Sequence, residues 1–332
     1  MTRLARTGTW PGIVLAAGIL AACLVLALAF GPVSLSLERL WQLVTAGPVQ
    51  GDLENAIFWQ IRMPRVLVAS LVGAALAVAG VILQDLFLNP LTDPYVTGVS
   101  AGAALGATIG IVLHWSNLPW ITVLALAGGL GTLALVWVAA RRRGRIDIFV
   151  LLLAGVTISY LASAVVTVLM IKANQDMHAI IYWLMGSFSG RGWPDVEIAL
   201  VVIPFMALPL FFTHEMDILL QGEKRALELG VEVERTKRLL LVTAGVLTAL
   251  AVSVSGIIGF VGLIVPHIVR LLVGPGHRGL LAVSLLAGAA MMVIADLLSR
   301  TVIAPNEIPV GVVTTFIGAP LFVYLLRRGR RI

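Results

Sequence analysis

The chain alternates long apolar segments with short polar ones along its whole length. Ten segments have the length of about 20 mostly apolar residues that crosses a bilayer as a helix. They run at about 11–30, 64–84, 95–113, 119–140, 148–171, 194–213, 236–254, 258–273, 280–298 and 309–326. The pattern predicts an all-α, polytopic membrane protein of about ten transmembrane helices, with residues 1–332 forming a single transmembrane domain.

Two of these segments allow a second interpretation. The connector Ser255–Ile258 is uncharged, so the flanking segments are either two spans or one broken helix. The first segment is longer than the ~7–15 residues of a signal-peptide core, and no clean cleavage site follows it. We therefore interpret it as a retained first span.

Composition supports the membrane assignment. Of 332 residues, 59% are hydrophobic and 12% are charged, whereas soluble domains carry about 25% charged residues. The net charge of +6 could indicate a nucleic-acid partner, but the basic residues cluster between apolar segments. Such clusters lie in cytoplasmic loops by the positive-inside rule. The pattern predicts a multi-pass protein of the cytoplasmic membrane, with both termini in the cytoplasm and no nucleic-acid partner. The cytoplasmic segments would be 1–6, 85–94, 141–145, 214–235, 274–279 and 327–331.

Glycine recurs at every fourth residue through the third span. The residues are Gly98, Gly102, Gly106 and Gly110. This spacing places a groove on one helix face, where a neighbouring backbone can approach closely. The groove serves either packing alone or the sliding of helices during gating.

The spans contain few groups suited to chemistry or ion coupling. Asp296 has Arg300 at i+4, so this pair is either functional or satisfies itself. His267 follows Pro266 with no nearby carboxylate or cysteine, which favours a structural role over a metal site. Cys23 is the single cysteine, so an intrachain disulfide is excluded.

The sequence also lacks the motifs of soluble catalytic modules. It contains no G-x-x-x-x-G-K-[ST] phosphate loop and no H-E-x-x-H. We therefore predict that the chain is not itself an enzyme, binds no cofactor or metal, and must receive energy from a partner. An ion-coupled secondary transporter remains the alternative, although it would need polar residues within the spans. An intramembrane enzyme would need a catalytic constellation at membrane depth.

The longest predicted cytoplasmic loop, 214–235, contains a short helical pattern at Gly222–Gly230. Ala226, Leu227 and Leu229 would form a small apolar surface, and Gly230 would end the helix near a C-cap position. The segment is either a contact surface for a soluble motor domain or an ordinary polar loop.

Several stretches carry a resemblance to a known family. Loop 214–235 resembles the coupling-helix region of the FecCD-type permeases, the type II ABC importers of vitamin B12, heme and iron-siderophores. The similarity extends from about residue 60 to the C-terminus. The other similar stretches are 62–65 (RMPR), 84–102, 151–156 (LLLAGV), 182–186 (YWLMG), 256–270, 276–278 (GHR), 295–300 (ADLLSR) and 308–320.

The resemblance implies a homodimer of ten-span subunits, two ABC ATPase subunits that use ATP and Mg, and an extracytoplasmic substrate-binding protein. It implies that exposed Arg62, Arg65 and Arg300 dock that protein through its acidic residues, although arginines flanking a span can also be interfacial anchors. It implies that the ATPase is gripped at Arg225, Ala226, Leu227, Leu229, Gly230 and Val231.

The family's cytoplasmic gate corresponds to Asn89, Pro90 and Leu91, after the second span. A second gate lies at the start of the fifth span, where relatives can carry small hydroxyl residues. Ile148 and Phe149 stand there instead, which leaves open whether this position is a gate or a bulkier hydrophobic plug. The expected function is import of a metal chelate by alternating access. Iron-siderophore or heme is the default cargo, and a cobamide is the next.

Overall fold

The computed structural model describes residues 9–49, 51–115, 119–142, 145–173 and 176–329. Of the predicted cytoplasmic segments, residues 1–6, 143–144 and 330–331 lie outside the described residues. Within the described ranges the fold is helical, apart from one antiparallel pair of two-residue strands, Arg141–Arg142 with Arg145–Ile146.

Sixteen α-helices are present in the part of the chain that the structure describes. Helices α1 to α8 are Thr9–Ala29, Leu37–Ala46, Leu53–Ala56, Met63–Leu86, Val99–Val112, Pro119–Ala140, Ile148–Lys172 and Met177–Leu184. Helices α9 to α16 are Trp193–Leu200, Val202–Ala207, Thr213–Leu219, Glu223–Glu228, Val233–Ser255, Val261–Val273, His277–Thr301 and Val310–Gly329. A π-helical turn, Ile57–Arg62, leads into α4, and 3-10 turns occupy Pro94–Thr97 and Leu208–Phe212.

Seven helical stretches are long and apolar enough to cross a membrane, judged by length and composition over the described residues. They are Thr9–Ala29, Leu53–Leu86, Trp120–Ala140, Ile148–Lys172, Trp193–Leu219, Val233–Ser255 and His277–Thr301. Three shorter apolar helices are Val99–Val112, Val261–Val273 and Val310–Leu325. Each predicted segment coincides with one of these stretches, so the predicted all-α, multi-span fold is confirmed.

Helix α4 is the most buried of the long helices and packs against α13, α14 and α15. Small residues allow this close approach. A Cβ added to Gly73 would lie 2.3 Å from the carbonyl oxygen of Gly288 on α15, and one added to Gly80 would lie 1.9 Å from that of Gly262 on α14. Backbone therefore packs directly on backbone in the core, as small residues permit between membrane helices.

Helices α13 and α14 are separate, which settles the interpretation of the Ser255–Ile258 connector. Gly256 and Phe260 both have φ of +71°, a conformation that no continuing right-handed helix accepts. The Tyr95 hydroxyl donates to the carbonyl of Ile258 at 2.7 Å and accepts from its N–H at 3.0 Å. A single side chain thus replaces backbone partners that the break removes, as buried polar groups require.

The path of α4 defines two opposite faces of the molecule. Its first turn contains Arg65, and its last turn contains Asp85. We call the end with Arg62, Arg65 and Arg300 the arginine face, and the end with residues 214–235 the loop face.

Candidate functional sites at the two faces

Arg65 forms the best-connected ion pair of the arginine face. Its guanidinium contacts Asp296 on α15, with Nη2 2.8 Å from Oδ1 and Nε 2.9 Å from the same oxygen. It also reaches Glu307, where Nη1 lies 2.8 Å from Oε1 and Nη2 lies 3.1 Å from Oε2. Burial alone would raise the pKa of Glu307, but the hydrogen bonds and charge of Arg65 hold it below its usual value. Arg65 thus joins α4, α15 and the segment after α15.

Arg62 and Arg300 bind main-chain carbonyls near the end of α1. Arg62 donates through Nη1 to Leu28 at 2.6 Å and to Ala29 at 3.0 Å, and through Nη2 to Val33. Arg300 donates to the carbonyl of Ala27. The carbonyls of residues 27–29 lie at the C-terminal end of α1, where they lack helical partners and carry partial negative charge. The two arginines therefore tie α1 to α4 and α15.

The exposure expected for Arg62, Arg65 and Arg300 is wrong. They are 3%, 6% and 3% exposed, because each guanidinium points into the protein toward acceptors of its own chain. Of the two alternatives for Asp296 and Arg300, mutual satisfaction holds only in part. Arg300 Nε lies 3.6 Å from Asp296 Oδ2, and Asp296 is held more tightly by Arg65, 231 residues away in sequence.

The predicted loop helix is present as α12, shorter than expected at Glu223–Glu228. Gly230 ends it with φ of +82°. The N–H of Val231 bonds to the carbonyl of Ala226, and that of Gly230 bonds to Leu227, which is the Schellman pattern of a helix C-terminus. Residues 214–219, predicted as loop, are instead helical within α11.

The apolar surface predicted for this segment is only partly available. Leu227 and Leu229 are exposed at 62% and 57%, and Arg225 is exposed beside them. Ala226 and Val231 are buried, because they pack with Ile218 and Val233 in a small apolar cluster under α12. Of the predicted contact residues, Leu227 and Leu229 therefore offer exposed apolar surface, while the buried pair fixes the helix to the protein. Lys237 on α13 forms an ion pair with Glu223 and adds a second attachment.

Asn89, Pro90 and Leu91 form an exposed turn after α4 on the loop face. The N–H of Asn89 bonds to the carbonyl of Gln84 at 2.9 Å, and Asn89 Oδ1 accepts from the N–H of Leu91 at 3.0 Å. Ile148 and Phe149 begin α7, where Asp147 caps the helix by accepting from the N–H of Phe149 at 3.0 Å. Phe149 is 75% exposed. Both predicted gate segments thus lie at helix ends with exposed apolar side chains.

The glycine groove of α5 faces α6. A Cβ on Gly102 would lie 2.4 Å from the carbonyl oxygen of Gly128, and one on Gly106 would lie 2.0 Å from that of Leu124. Gly110 is packed less tightly, against the Leu124 side chain at 3.1 Å. Gly98 precedes α5 with φ of +79°, so it serves a turn and lies outside the helical groove. The packing function is present at Gly102 and Gly106, while sliding during gating stays a prediction.

Four ionisable residues on the loop face form a cluster that the sequence did not predict. His277, at the first position of α15, places Nδ1 2.6 Å from Asp217 Oδ1 and Nε2 2.5 Å from Asp85 Oδ2. Arg270 on α14 donates through Nη2 to Asp85 Oδ1 at 2.8 Å. We call Asp85, Asp217, Arg270 and His277 the histidine cluster. Its members come from four helices, and in the sequence each is an ionisable residue within four positions of the end of a predicted apolar segment.

A sequence model of the FecCD transport family matches residues 19–328. The chain belongs to that family. It is 47% identical over 286 residues to the cobalamin import system permease protein BtuC of Halobacterium salinarum, covering 85% of this chain and 77% of the relative. It is 40% identical over 314 residues to the Fe(3+) dicitrate transport system permease protein FecD of Escherichia coli, covering 94% and 96%.

The fold also matches a solved structure described as an inward-facing conformation of an ABC transporter assigned to the metal-chelate type. The TM-score is 0.85 at 34% identity, over 95% of this chain and 98% of the other. Family membership makes the chain a permease component of an ABC transport system. ATPase and substrate-binding partners and a lipid bilayer follow from that membership.

Proposed function

We propose that the chain is the membrane-spanning subunit of a binding-protein-dependent ABC importer that carries a metal chelate into the cytoplasm. The observation that carries the proposal is α12. It is a short, sharply terminated helix that presents Leu227 and Leu229 on the loop face of a permease fold. An exposed apolar pair held on a fixed support suits contact with a soluble partner. The chain itself binds no cofactor, and ATP and Mg are used by the partner.

The proposed assembly contains two copies of the chain, two ATPase subunits and one external binding protein. The loop face lies in the cytoplasm, with both termini on that side of the cytoplasmic membrane. Closure of the ATPases on ATP pushes on α12 and exchanges an inward opening for an outward one. The turn Asn89–Leu91 and the start of α7 at Ile148 and Phe149 act as cytoplasmic gates. ATP drives this exchange only to the extent that it binds the two states with different affinity.

Docking of the binding protein is proposed for the arginine face, with a changed role for the arginines. Because Arg62, Arg65 and Arg300 are buried, they lie beneath this surface and hold its segments in place through their contacts within the chain. Arg65 fixes Glu307, whose side chain remains 25% exposed, and Val302 and Ile303, which follow α15, are also exposed. A partner would contact this rim and not the guanidiniums themselves.

The cargo is proposed to be a cobamide, on the strength of the 47% identity to a cobalamin permease. An iron chelate is the alternative, since a relative named for iron dicitrate is 40% identical. Both are metal chelates too large and polar to cross a bilayer unaided, so the same import function applies to either.

The test is reconstitution of the chain in liposomes with its co-purifying ATPase and binding protein. We expect uptake of cyanocobalamin that requires both ATP inside the vesicle and the binding protein outside. Uptake of a ferric chelate alone would replace the cargo assignment and keep the importer. Uptake driven by a pH gradient without ATP would refute the importer and favour a secondary transporter. The ligand retained by the purified binding protein, identified by mass spectrometry, gives an independent answer on the cargo.

A further inference from the structure

The histidine cluster lies between the segment proposed to contact the ATPase and the turn proposed to act as a gate. Asp217 belongs to α11, immediately before α12, while Asp85 belongs to the last turn of α4, immediately before Asn89. His277 lies between them, fully buried, and touches both carboxylates. One imidazole ring thus connects two functional segments that are more than 120 residues apart in sequence.

The charges of the cluster balance only if His277 is cationic. An ionised carboxylate accepts hydrogen bonds and donates none, so each ring nitrogen that faces one must supply the proton. Both nitrogens of His277 face carboxylate oxygens, at 2.6 and 2.5 Å. With Arg270, two cations then meet two anions, which is the condition for stable burial of charge.

Asp217 makes a second hydrogen bond to His277, through the backbone of that residue. Its Oδ1 accepts from the backbone N–H of His277 at 3.1 Å, which caps the N-terminus of α15. The residue at the cap position is Gly276, which has no side chain to perform this function. Side-chain and backbone bonds together fix α11 to the start of α15.

On the side of the proposed ATPase contact, α11 and α12 are packed together. Ile218 follows Asp217 and packs with Ala226 of α12 in the small apolar cluster that also contains Val231 and Val233. A displacement of α12 must therefore move α11, and with it Asp217.

The other side of the connection leads to the gate turn. The backbone of Asp85 accepts from the N–H of Leu88 at 3.1 Å, and Asn89 is held by Gln84. Arg270 links the same carboxylate to α14. A shift of Asp85 is thereby passed both to the turn after α4 and to α14.

We propose that His277 is a positioning residue for energy coupling, which transmits displacement of α12 through Asp217 and Asp85 to the turn at Asn89–Leu91. This rests on the proposed importer function. The residue touches neither cargo nor ATP, so its effect is on the yield of transport per ATP.

The first measurement uses the reconstituted importer with His277→Ala, Asp217→Ala and the double variant. Controls are His178→Ala and Glu197→Ala, which remove the same groups from exposed positions outside the cluster. We expect the cluster variants to bind the ATPase as the wild type does, because Leu227 and Leu229 are untouched. Uptake per ATP hydrolysed should fall about fivefold or more, the lower range of coupling between sites. The double variant should be no worse than the worse single one, because both break one connection.

The second measurement needs no transport. Amide hydrogen exchange is followed in the purified chain, where Asp217→Ala should accelerate exchange both in 223–228 and in 85–91, while Asp217→Glu should restore protection. Asp217 is half exposed, so its removal leaves the core intact. Acceleration confined to 213–228, or unchanged uptake per ATP in both single variants, would overturn the proposal. If ATP-dependent uptake is absent in the wild type, the importer assignment fails, while the exchange result still decides whether the cluster connects the two segments.

Discussion

The close approach of α5 and α6 yields a prediction whose size follows from the structure. Replacing Gly106 by alanine places a Cβ 2.0 Å from the carbonyl oxygen of Leu124, where ordinary contacts begin near 3.4 Å. The obstructing atom is backbone, so no side chain can rotate away, and the two helices must separate locally by about 1.4 Å. Overpacking of this kind costs about 1–3 kcal/mol.

The matched control is Gly131→Ala on α6, where an added Cβ would meet nothing within 4 Å. Both substitutions gain the same helix propensity, about 1 kcal/mol in favour of alanine, so this contribution cancels between them. The difference between the two variants therefore isolates the cost of separating the helices.

The assay is thermal unfolding in a mild detergent, followed by the loss of monodisperse protein on size exclusion. We expect Gly131→Ala to match or exceed the wild type and Gly106→Ala to melt several degrees lower, at about 2–4 °C per kcal/mol. Equal melting temperatures for the two variants would refute the assignment of Gly106 to a backbone contact.

Three further predictions concern the faces. Leu227→Asp should leave the chain folded and sever ATPase binding, measured by co-purification; retained binding would remove α12 from the interface. Asp296→Asn should lower the melting temperature strongly, because it leaves Arg65 and Arg300 buried with less compensating charge, at a cost of about 3–5 kcal/mol. Asp52→Asn in the partly exposed pair with Arg39 should have a much smaller effect. Burial raises the pKa of Asp93 to about 6, although part of its surface remains exposed. Because the folded state holds this proton more tightly than the unfolded one, stability should fall as pH rises from about 4 to about 6, and Asp93→Asn should abolish that dependence in melting scans; an unchanged slope would refute it.

The spans were predictable because a helix in lipid must be apolar over a fixed length, which is a local property of the sequence. The end of α12 at Gly230 was predictable for a similar reason, since a positive φ favours glycine. Which face of α12 is buried was not predictable. Six residues are too few for periodicity to decide that Ala226 points inward and Leu227 outward.

The charged sites could not be assigned from the sequence because their partners are distant. Arg65 is 231 residues from Asp296 and 242 from Glu307. Its position beside a span indicated an arginine at a membrane face, but only the fold turns the guanidinium inward. The histidine cluster is a stronger case, because the contacts of His277 with Asp85 and Asp217 span 192 and 60 residues.

The hydroxyl of Tyr95 makes the break between α13 and α14 observable. It satisfies both backbone groups of Ile258 from outside the broken segment, so the segment cannot change shape unless Tyr95 follows or water replaces it. The amide proton of Ile258 then exchanges with solvent only when that contact opens. Its exchange rate therefore reports how often residues 256–260 move relative to the 3-10 turn Pro94–Thr97 in the intact protein.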